Sequence, residues 1–331
     1  VKIFRLILLI AHIGIFFLLA ATLLNAYVPP KTFPWFNLLS LGFPVLMIAY
    51  ILLTLFWIFS WKKRAFIFVL LGLLFFKPAI RWINYSPQKN ETSNLKVLTM
   101  NAKGGYYGID NINAYINSQN PDIVMLQEYG SKMKYHFDGL KQAPDSWVIQ
   151  VFSKHKIISQ KQLIDSDYTF NNAYASQTDI EIRGKTYRFI NVYLQPFKFR
   201  KHMVKLNGNS EEDEQKVKNV IKRLIPTFKM HQDQIASIRE SIDNSPYPVI
   251  LAGDFNSVPN SYEYYHLLKG LQDAFVESGS GSGTSFHDYK YPIRIDYIFS
   301  SKSIKPLSYH VDRSVKLSDH FPVIATFKLE K

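Results

Sequence analysis

Two long apolar runs near the start of the chain limit its architecture more than any other feature. Residues 3–28 (IFRLILLIAHIGIFFLLAATLLNAYV) and 38–60 (LLSLGFPVLMIAYILLTLFWIFS) are each long enough, as helices, to cross a hydrocarbon core about 30 Å thick, which takes about 20 residues. A third run, 65–83 (AFIFVLLGLLFFKPAIRWI), has a shorter apolar core and is interrupted by Lys77-Pro78. Trp35, Trp57, Trp61 and Trp82 lie near the ends of the runs, where an aromatic belt is expected. A cleaved signal has a short apolar core followed by small residues; here the first run is longer and two more follow it. The expectation is a membrane anchor of about three transmembrane helices in residues 1–85.

The basic residues give that anchor a direction. Lys2 and Arg5 precede the first run, Lys62-Lys63-Arg64 separate the second from the third, and only Lys31 lies between the first two. With three spans, this bias puts the N-terminus and the 62–64 loop in the cytoplasm and the rest of the chain outside. The expected localisation is therefore integral to the inner or plasma membrane, with an extracytoplasmic C-terminal domain. If the third run did not insert, the domain would lie on the other side. The net charge of +13 includes eight basic residues and no acid within residues 1–85, which leaves +5 for residues 86–331. A nucleic-acid partner therefore does not follow from the overall charge. His12 and Asn25 have no acidic partner in residues 1–85 and read as interhelical hydrogen-bonding or interface residues. The chain has no Cys, which excludes disulfides and thiolate metal sites and suits an oxidising compartment.

Residues 86–94 (SPQKNETSN) are polar and read as a linker. Beyond it, short β-rich runs recur at 95–100, 122–127, 147–153, 175–182, 186–194, 248–254, 294–300 and 321–329. The pair around Arg183-Gly184-Lys185 reads as a hairpin. Helical patterns lie between some strands. Asp110 is placed to cap a helix burying Ile112, Tyr115 and Ile116. Ser210 precedes an acidic first turn and a helix that Pro226 should break or kink. Asn260 with Glu263 resembles a capping box. Strands with interspersed helices make residues 95–331 a single α/β or α+β domain. Residues 198–223 are locally basic, as a solvated helix face or as a surface for anionic lipid or an anionic substrate.

The stretch VILAGDFNSVPNS (249–261) runs an apolar strand into Gly-Asp-Phe-Asn. Asp and Asn favour turns, so this alone is unremarkable chemistry. Other runs end the same way. LTMN ends on Asn101, VMLQE on Glu128, NVYL carries Asn191 and Tyr193, RIDYIF places Asp296 just inside a strand, and SDHFPV sets Asp319-His320 before one. Each has a bland reading as a turn, a surface ion pair or a satisfied core group. Together they read as a site.

In that order and spacing, LTMNAKGG, PDIVMLQE, VFSK, NVYLQP, ILAGDFNSVP, GSGTSF, RIDYIFSS and KLSDHFPV resemble the endonuclease/exonuclease/phosphatase superfamily of metal-dependent phosphoesterases over residues 95–331. The resemblance implies an α/β four-layer sandwich, two packed β-sheets flanked by helices. It implies Mg²⁺, or Mn²⁺, held by Glu128 with Asn101 beside it and Asp319 nearby. Asp254 would position or deprotonate the attacking water, Asn256 would orient the phosphate, His320 would stabilise the phosphoryl oxygen, and Asp296 would fix the His320 ring. A hard cation of this kind takes carboxylate and amide oxygens. Two departures stand out. Tyr193 occupies a place where many members have His, and it can donate a hydrogen bond but carries no positive charge at neutral pH. Lys103 stands where one branch has an acid, and it could hold a phosphate directly. Arg294 could reach phosphate bidentately or pair with a nearby acid. Thr284 follows a Gly/Ser stretch that reads equally as a flexible linker, and with Lys103, Arg294 and Asn191 it is assigned to substrate binding. The expected activity is hydrolysis of a phosphodiester, in nucleic acid, a phospholipid head group or another phosphoester, at a membrane and with no obligate protein partner evident. The alternative is a catalytically inactive tethered binding or scaffold module, against which the completeness of the motif set argues.

Overall fold

Continuous apolar runs four to seven residues long must be buried on both faces when they form strands. β2 (Leu95–Asn101), β3 (Ile123–Gln127) and β9 (Val249–Asp254) are of this kind, and nearly every residue in them is buried. The structure is a computed structural model. It describes residues 2–330 apart from 88, 131–133, 145–147, 165–171, 200–202, 204, 206, 289, 290 and 292. Trp147 and part of the basic 198–223 segment lie outside the described residues.

One sheet has the order β13 (Ile304–Val311), β14 (Val323–Leu329), β2, β3, β5 (Ile149–Ser153), β4 (Lys141–Gln142). The other has the order β10 (Leu271–Asp273), β12 (Asp296–Ser301), β9, β8 (Lys185–Tyr193), β7 (Tyr174–Ile182), β6 (Lys156–Gln162). They pack face to face through a core that includes Val97, Met125, Val151 and Phe327 from the first and Ile180, Phe189, Ile250 and Ile298 from the second. α6 (Ile109–Gln119) covers the outer face of the first sheet with Ile112 and Ile116. α7 (Ser210–Asp243) covers the second with Ile235 and Ile238. The result is the expected four-layer α/β sandwich. The hairpin turn is Arg183-Gly184, with φ of 54° and 80°, between the paired Ile182 and Lys185.

Two pairings are parallel, β2 with β3 and β8 with β9. Parallel neighbours end on the same side, so Asn101 and Glu128 come together, as do Tyr193 and Asp254. β12 runs antiparallel to β9 with Asp296 opposite Asp254, and β14 starts opposite Thr99. Asn101, Glu128, Tyr193, Asp254 and Asp296 therefore gather at one end of the sandwich, with Asp319-His320 just before β14.

The N-terminal helices differ from the expectation. α1 (Lys2–Leu23) continues through a 3-10 turn to Ala26, and this stretch, of mean hydropathy 2.6, is long and apolar enough to cross a membrane. The 38–60 run is bent by 68° between α2 (Trp35–Leu41) and α3 (Phe43–Phe59), where Gly42 and Pro44 meet. The 65–83 run is α4 (Arg64–Gly72), a 3-10 turn and α5 (Phe76–Ile80), with Pro78 removing an amide donor near its end. In place of three spanning helices, the described residues contain one, or two if the bent pair counts as a single span. A single apolar N-terminal helix fits a membrane anchor or a signal sequence.

The segments still lie alongside one another. Phe4 meets Phe56, Phe16 meets Phe75, Trp57 Nε1 donates to His12 Nδ1 at 3.1 Å, and Tyr50 donates to the Phe68 carbonyl at 2.7 Å. Lys2, Arg5 and Lys62–Arg64 thus share one end of the unit. The other end meets the sandwich through Asn25, Asn37 and Arg81.

Other local expectations shift. α7 runs 34 residues straight through Pro226, capped by Asn209 and not Ser210. Its apolar face, packed on the second sheet, compensates for the missing donor. α8 (Tyr262–Leu268) is capped by Ser261, and Glu263 turns inward instead of completing a capping box. Gly108, not Asp110, precedes α6. The Gly/Ser stretch is tied into structure: β11 (Ser280–Ser282) pairs with β1 (Ile83–Tyr85), just after the last apolar run. The polar 86–94 segment is held down by Ser86 N to the Gly279 carbonyl and by Glu91 between Lys305 and Lys328.

Candidate active site

Asp254, at the end of β9, is the centre of the cluster. Its Oδ2 accepts from Asn101 Nδ2 at 3.1 Å and lies 3.8 Å from His320 Nε2. The same Asn101 amide donates to Glu128 Oε1 at 2.9 Å, and its Oδ1 accepts from Lys103 N at 3.0 Å. His320 Nδ1 faces Asp296 Oδ2 at 2.8 Å. Ser285, buried, supports that carboxylate by accepting from the amides of Ile295 and Asp296, and Phe286 sets its edge against the His320 ring at 4.9 Å. Ser285 follows Thr284 in the GSGTSF motif and reads from the sequence as a cleft-lining residue; Phe286, in the same motif, does not stand out there.

The electrostatics follow from burial. Asp254 is 1 % exposed, and desolvation pushes its carboxyl up to about 7 against the pull of His320. For His320, burial opposes the charge, but the carboxylates of Asp296 and Asp254 outweigh it and raise the imidazole to about 10. Asp319 is held below the usual carboxylate range: burial resists, and His320 and Lys103 prevail. Lys103 Nζ sits 2.6 Å from Asp319 Oδ2. Burial and the Glu128 carboxylate push the Tyr193 hydroxyl up, and it donates to Glu128 Oε1 at 2.9 Å.

Asn256 donates its backbone N–H to Asp254 Oδ1 at 2.8 Å and its side-chain amide to the Leu194 carbonyl at 2.9 Å. With φ of 46°, it has left the strand. The spacing of Asp254 and Asn256 is therefore that of an Asx-type turn, not of side-chain alternation along a strand. Lys103 and Glu128 also have positive φ, 45° and 46°. Three non-glycine residues in this uncommon region, gathered in one cluster, are a signature of a functional site.

Three residues assigned to substrate binding are engaged elsewhere. Arg294 is fully buried, and its two terminal nitrogens grip Asp273 at 2.8 and 2.7 Å, which is the alternative of pairing with an acid. Asn191 is also fully buried. It ties the sheets together, donating to the Leu126 and Gln150 carbonyls at 3.0 Å and accepting from Gln127 at 2.7 Å. Thr284 pairs its hydroxyl with Ser282 at 2.8 Å, and its carbonyl accepts from Arg313. Asn101, Lys103, Glu128, Tyr193, Asp254, Asn256, Asp296, Asp319 and His320 form one connected group.

The donor set suits a hard divalent cation. It offers carboxylates and an amide, with no thiolate in the chain, and one buried oxygen of Asp296 has no protein partner among the described residues. Ligand atoms of Asp254, Asp296 and His320 lie within 4.8 Å of one another.

Residues 92–320, well over half of the chain, match the profile of the Endonuclease/Exonuclease/phosphatase family. The chain belongs to this family. Residues 4–82 match a domain of unknown function, DUF8431. No curated protein matches the chain. Among solved structures, humanized D. rerio TDP2 is similar at 15 % identity and a TM-score of 0.51, covering 71 % of this chain and 98 % of that one. An endonuclease/exonuclease/phosphatase family protein from Leptotrichia buccalis is similar at 18 % and 0.51, covering 71 % and 100 %. The mannosyl-6-phosphatase of Bacteroides thetaiotaomicron is similar at 19 % and 0.50, covering 71 % and 99 %. At these identities the likeness carries the fold. The family membership makes the chain a phosphoesterase by class.

Proposed function

We propose that the chain is a membrane-anchored, divalent-metal-dependent phosphodiester hydrolase, with an anchor in residues 1–85, a linker in 86–94 and a catalytic domain in 95–331. The observation that carries this reading is the buried Asp254 carboxylate between the Asn101 amide and the His320–Asp296 pair. Glu128, Asn101 and Asp319 would hold Mg²⁺, or Mn²⁺, which when bound supplies charge neutralisation at the phosphoryl and leaving oxygens. Asp254 takes the proton of the attacking water; a carboxyl near 7 is suited to a general base at neutral pH. His320, kept protonated by Asp296, offers its Nε2–H to a phosphoryl oxygen as charge builds there. The Asn256 amide offers its second N–H to the same group. Tyr193 orients Glu128, and Lys103 adds a cation at the rim.

The membrane part of the reading is supported by the apolar α1 and by the grouping of Lys2, Arg5 and Lys62–Arg64 at the end of the N-terminal unit remote from the sandwich. This arrangement favours an extracytoplasmic catalytic domain. The N-terminal unit packs against Val258 and Ile295, neighbours of the site loops, which favours a phospholipid head group over nucleic acid as substrate.

The test uses the full chain in mixed-phospholipid vesicles with Mg²⁺ or EDTA, plasmid DNA in a parallel reaction, and Asp254→Asn as blank. Head-group release that needs both Mg²⁺ and Asp254 is the expected result. DNA cleavage with the same requirements makes the chain a nuclease. No metal-dependent hydrolysis of either substrate leaves the scaffold reading.

A further inference from the structure

Glu263 and His231 form a pair that the catalytic cluster does not use. Both side chains are fully buried, and His231 Nδ1 lies 2.8 Å from Glu263 Oε1. His231 Nε2 lies 2.8 Å from the Gln195 carbonyl. A carbonyl oxygen only accepts, so Nε2 carries a proton. The opposite nitrogen faces a carboxylate that already accepts from Asn37 Nδ2 on both oxygens, at 3.0 and 2.9 Å. The result is a fully buried imidazole–carboxylate pair that Asn37 holds from the other side. Asn37 belongs to α2, in the N-terminal unit, and completes its own bonding by accepting from Tyr262 N at 2.7 Å. A polar chain therefore crosses a seam whose surroundings are largely apolar.

The far end of that chain is the catalytic loop. Gln195, held by His231, follows Leu194, whose carbonyl accepts the Asn256 amide and whose N–H donates to the Asp254 carbonyl. Ser257, next to Asn256, brings its hydroxyl to 3.3 Å from His231 Nδ1. The same loop is gripped a second time at Asn260. Its carbonyl accepts from Asn25 Nδ2 at 2.9 Å, and its Oδ1 accepts from Arg81 at 2.8 Å. Asn256 and Asn260 both hold positive φ, 46° and 69°, so the loop keeps a conformation that its surroundings must enforce. A buried imidazole–carboxylate pair is a poor way to gain stability, and an apolar seam of similar shape would serve adhesion as well.

We propose that the N-terminal helices set the position of Asn256 through the relay Asn37–Glu263–His231, so that Glu263 and His231 are positioning residues of the site. This rests on the reading of Asn256 as a phosphate contact. The relay also requires the N-terminal unit to be in place for full turnover.

The experiment uses the full chain in vesicles and the variants Asn37→Leu, Glu263→Gln and Asn256→Ala. Lys31→Ala is the control, since Lys31 reaches α7 at Asp233, 2.5 Å away, outside the relay. Hydrogen exchange comes first. Asn37→Leu and Glu263→Gln should each speed exchange at residues 194–195 and 255–257 while the sheet cores stay protected, and Lys31→Ala should change nothing there. In turnover, each relay variant should lose about tenfold in kcat/KM, a typical coupling for residues in one network, and that loss should vanish in the Asn256→Ala background. Unchanged exchange at those amides overturns the relay, as does an equal loss with and without Asn256. Turnover unaffected by Asn256→Ala overturns the phosphate-contact reading instead, and exchange then decides the relay alone.

Discussion

Replacing Arg294 with Met should cost stability and not substrate affinity. The guanidinium and the Asp273 carboxylate are 0 % and 1 % exposed, so solvent does not screen them. Asp273 also caps α9 (Ala274–Ser278) by accepting from Phe275 N, and it accepts from Tyr264 Oη at 2.8 Å. Arg294 reaches further, to the Arg81 carbonyl at 2.9 Å and over the rings of Phe275 and Tyr297, both 4.5 Å from its central carbon. Removing the cation leaves a carboxylate buried with two neutral donors. Breaking one side of a buried pair typically costs about 3–5 kcal/mol. For a domain of this size each kcal/mol moves Tm by about 2–4 °C, so the loss should be roughly 6–20 °C.

The assay is thermal unfolding of the full chain in detergent, followed by near-UV circular dichroism, with turnover measured well below the transition. Adding Asp273→Asn should recover much of the loss, because Asn still caps α9 and no charge remains unpaired. Intact stability with a several-fold rise in KM would refute this reasoning and return Arg294 to the substrate.

Two further outcomes are expected. Gly253→Ala should lower stability by at least about 3 kcal/mol or prevent folding, since φ is +136° and a Cβ would lie 2.0 Å from the Val192 carbonyl oxygen; Gly270→Ala, with φ of +77° and open space, should cost only about 1 kcal/mol, and equal Tm values for the two variants would contradict the geometry. Burial opposes ionisation of Glu263, but His231 and Asn37 outweigh it and hold the carboxyl below 4.5, so the stability it contributes is present above that pH and lost as pH falls through the lower folded value. The Tm advantage of wild type over Glu263→Gln should accordingly hold from pH 7 to 5 and shrink only below about 4.5; shrinkage above pH 5 would contradict the assignment.

Much of the fold was legible because strand ends carry their own signal. Asn101, Glu128, Tyr193 and Asp254 each mark where an apolar run stops and Asp296 where one starts, and parallel pairing of β2 with β3 and β8 with β9, with β12 antiparallel to β9, brings those ends together. What sequence could not fix was partner choice. Arg294 looks the same on paper whether it meets a phosphate or Asp273, and Asn191 whether it faces a cleft or the opposite sheet. Pro226 reads as a break or kink, yet α7 continues unbroken to Asp243, because tertiary packing along the rest of the helix outweighs one lost bond. The 65–83 run reads as a third span because apolar content is visible in sequence, whereas its division into α4, a 3-10 turn and a short α5 depends on packing. Gly72 closes onto the Tyr50 ring, where a Cβ would lie 3.1 Å from Cε1. His231 and Glu263 gave no local signal: one sits in a polar helix, the other mimics a cap.

The seam between the N-terminal unit and the sandwich bears on what the site needs. Three site residues, Lys103, Glu128 and Asn256, hold positive φ, and such conformations persist only where neighbours over-determine them. For Lys103 and Glu128 the neighbours are within the sandwich: Gly104 N donates to the Glu128 carbonyl at 2.7 Å, and Ala102 N to that of Gln127. For Asn256 some of the restraint originates before residue 85. Asn25, Asn37 and Arg81 hold Asn260 and Glu263, β1 completes a ladder with β11, and the Arg81 carbonyl takes a bond from buried Arg294. Cutting the chain at the linker would remove every one of these contacts and expose the apolar faces of Val258 and Ile295 beside the cleft. The N-terminal helices are thus structural neighbours of the loop that carries Asn256, and a site that is complete in sequence from residue 95 onward is held in shape by residues that precede it.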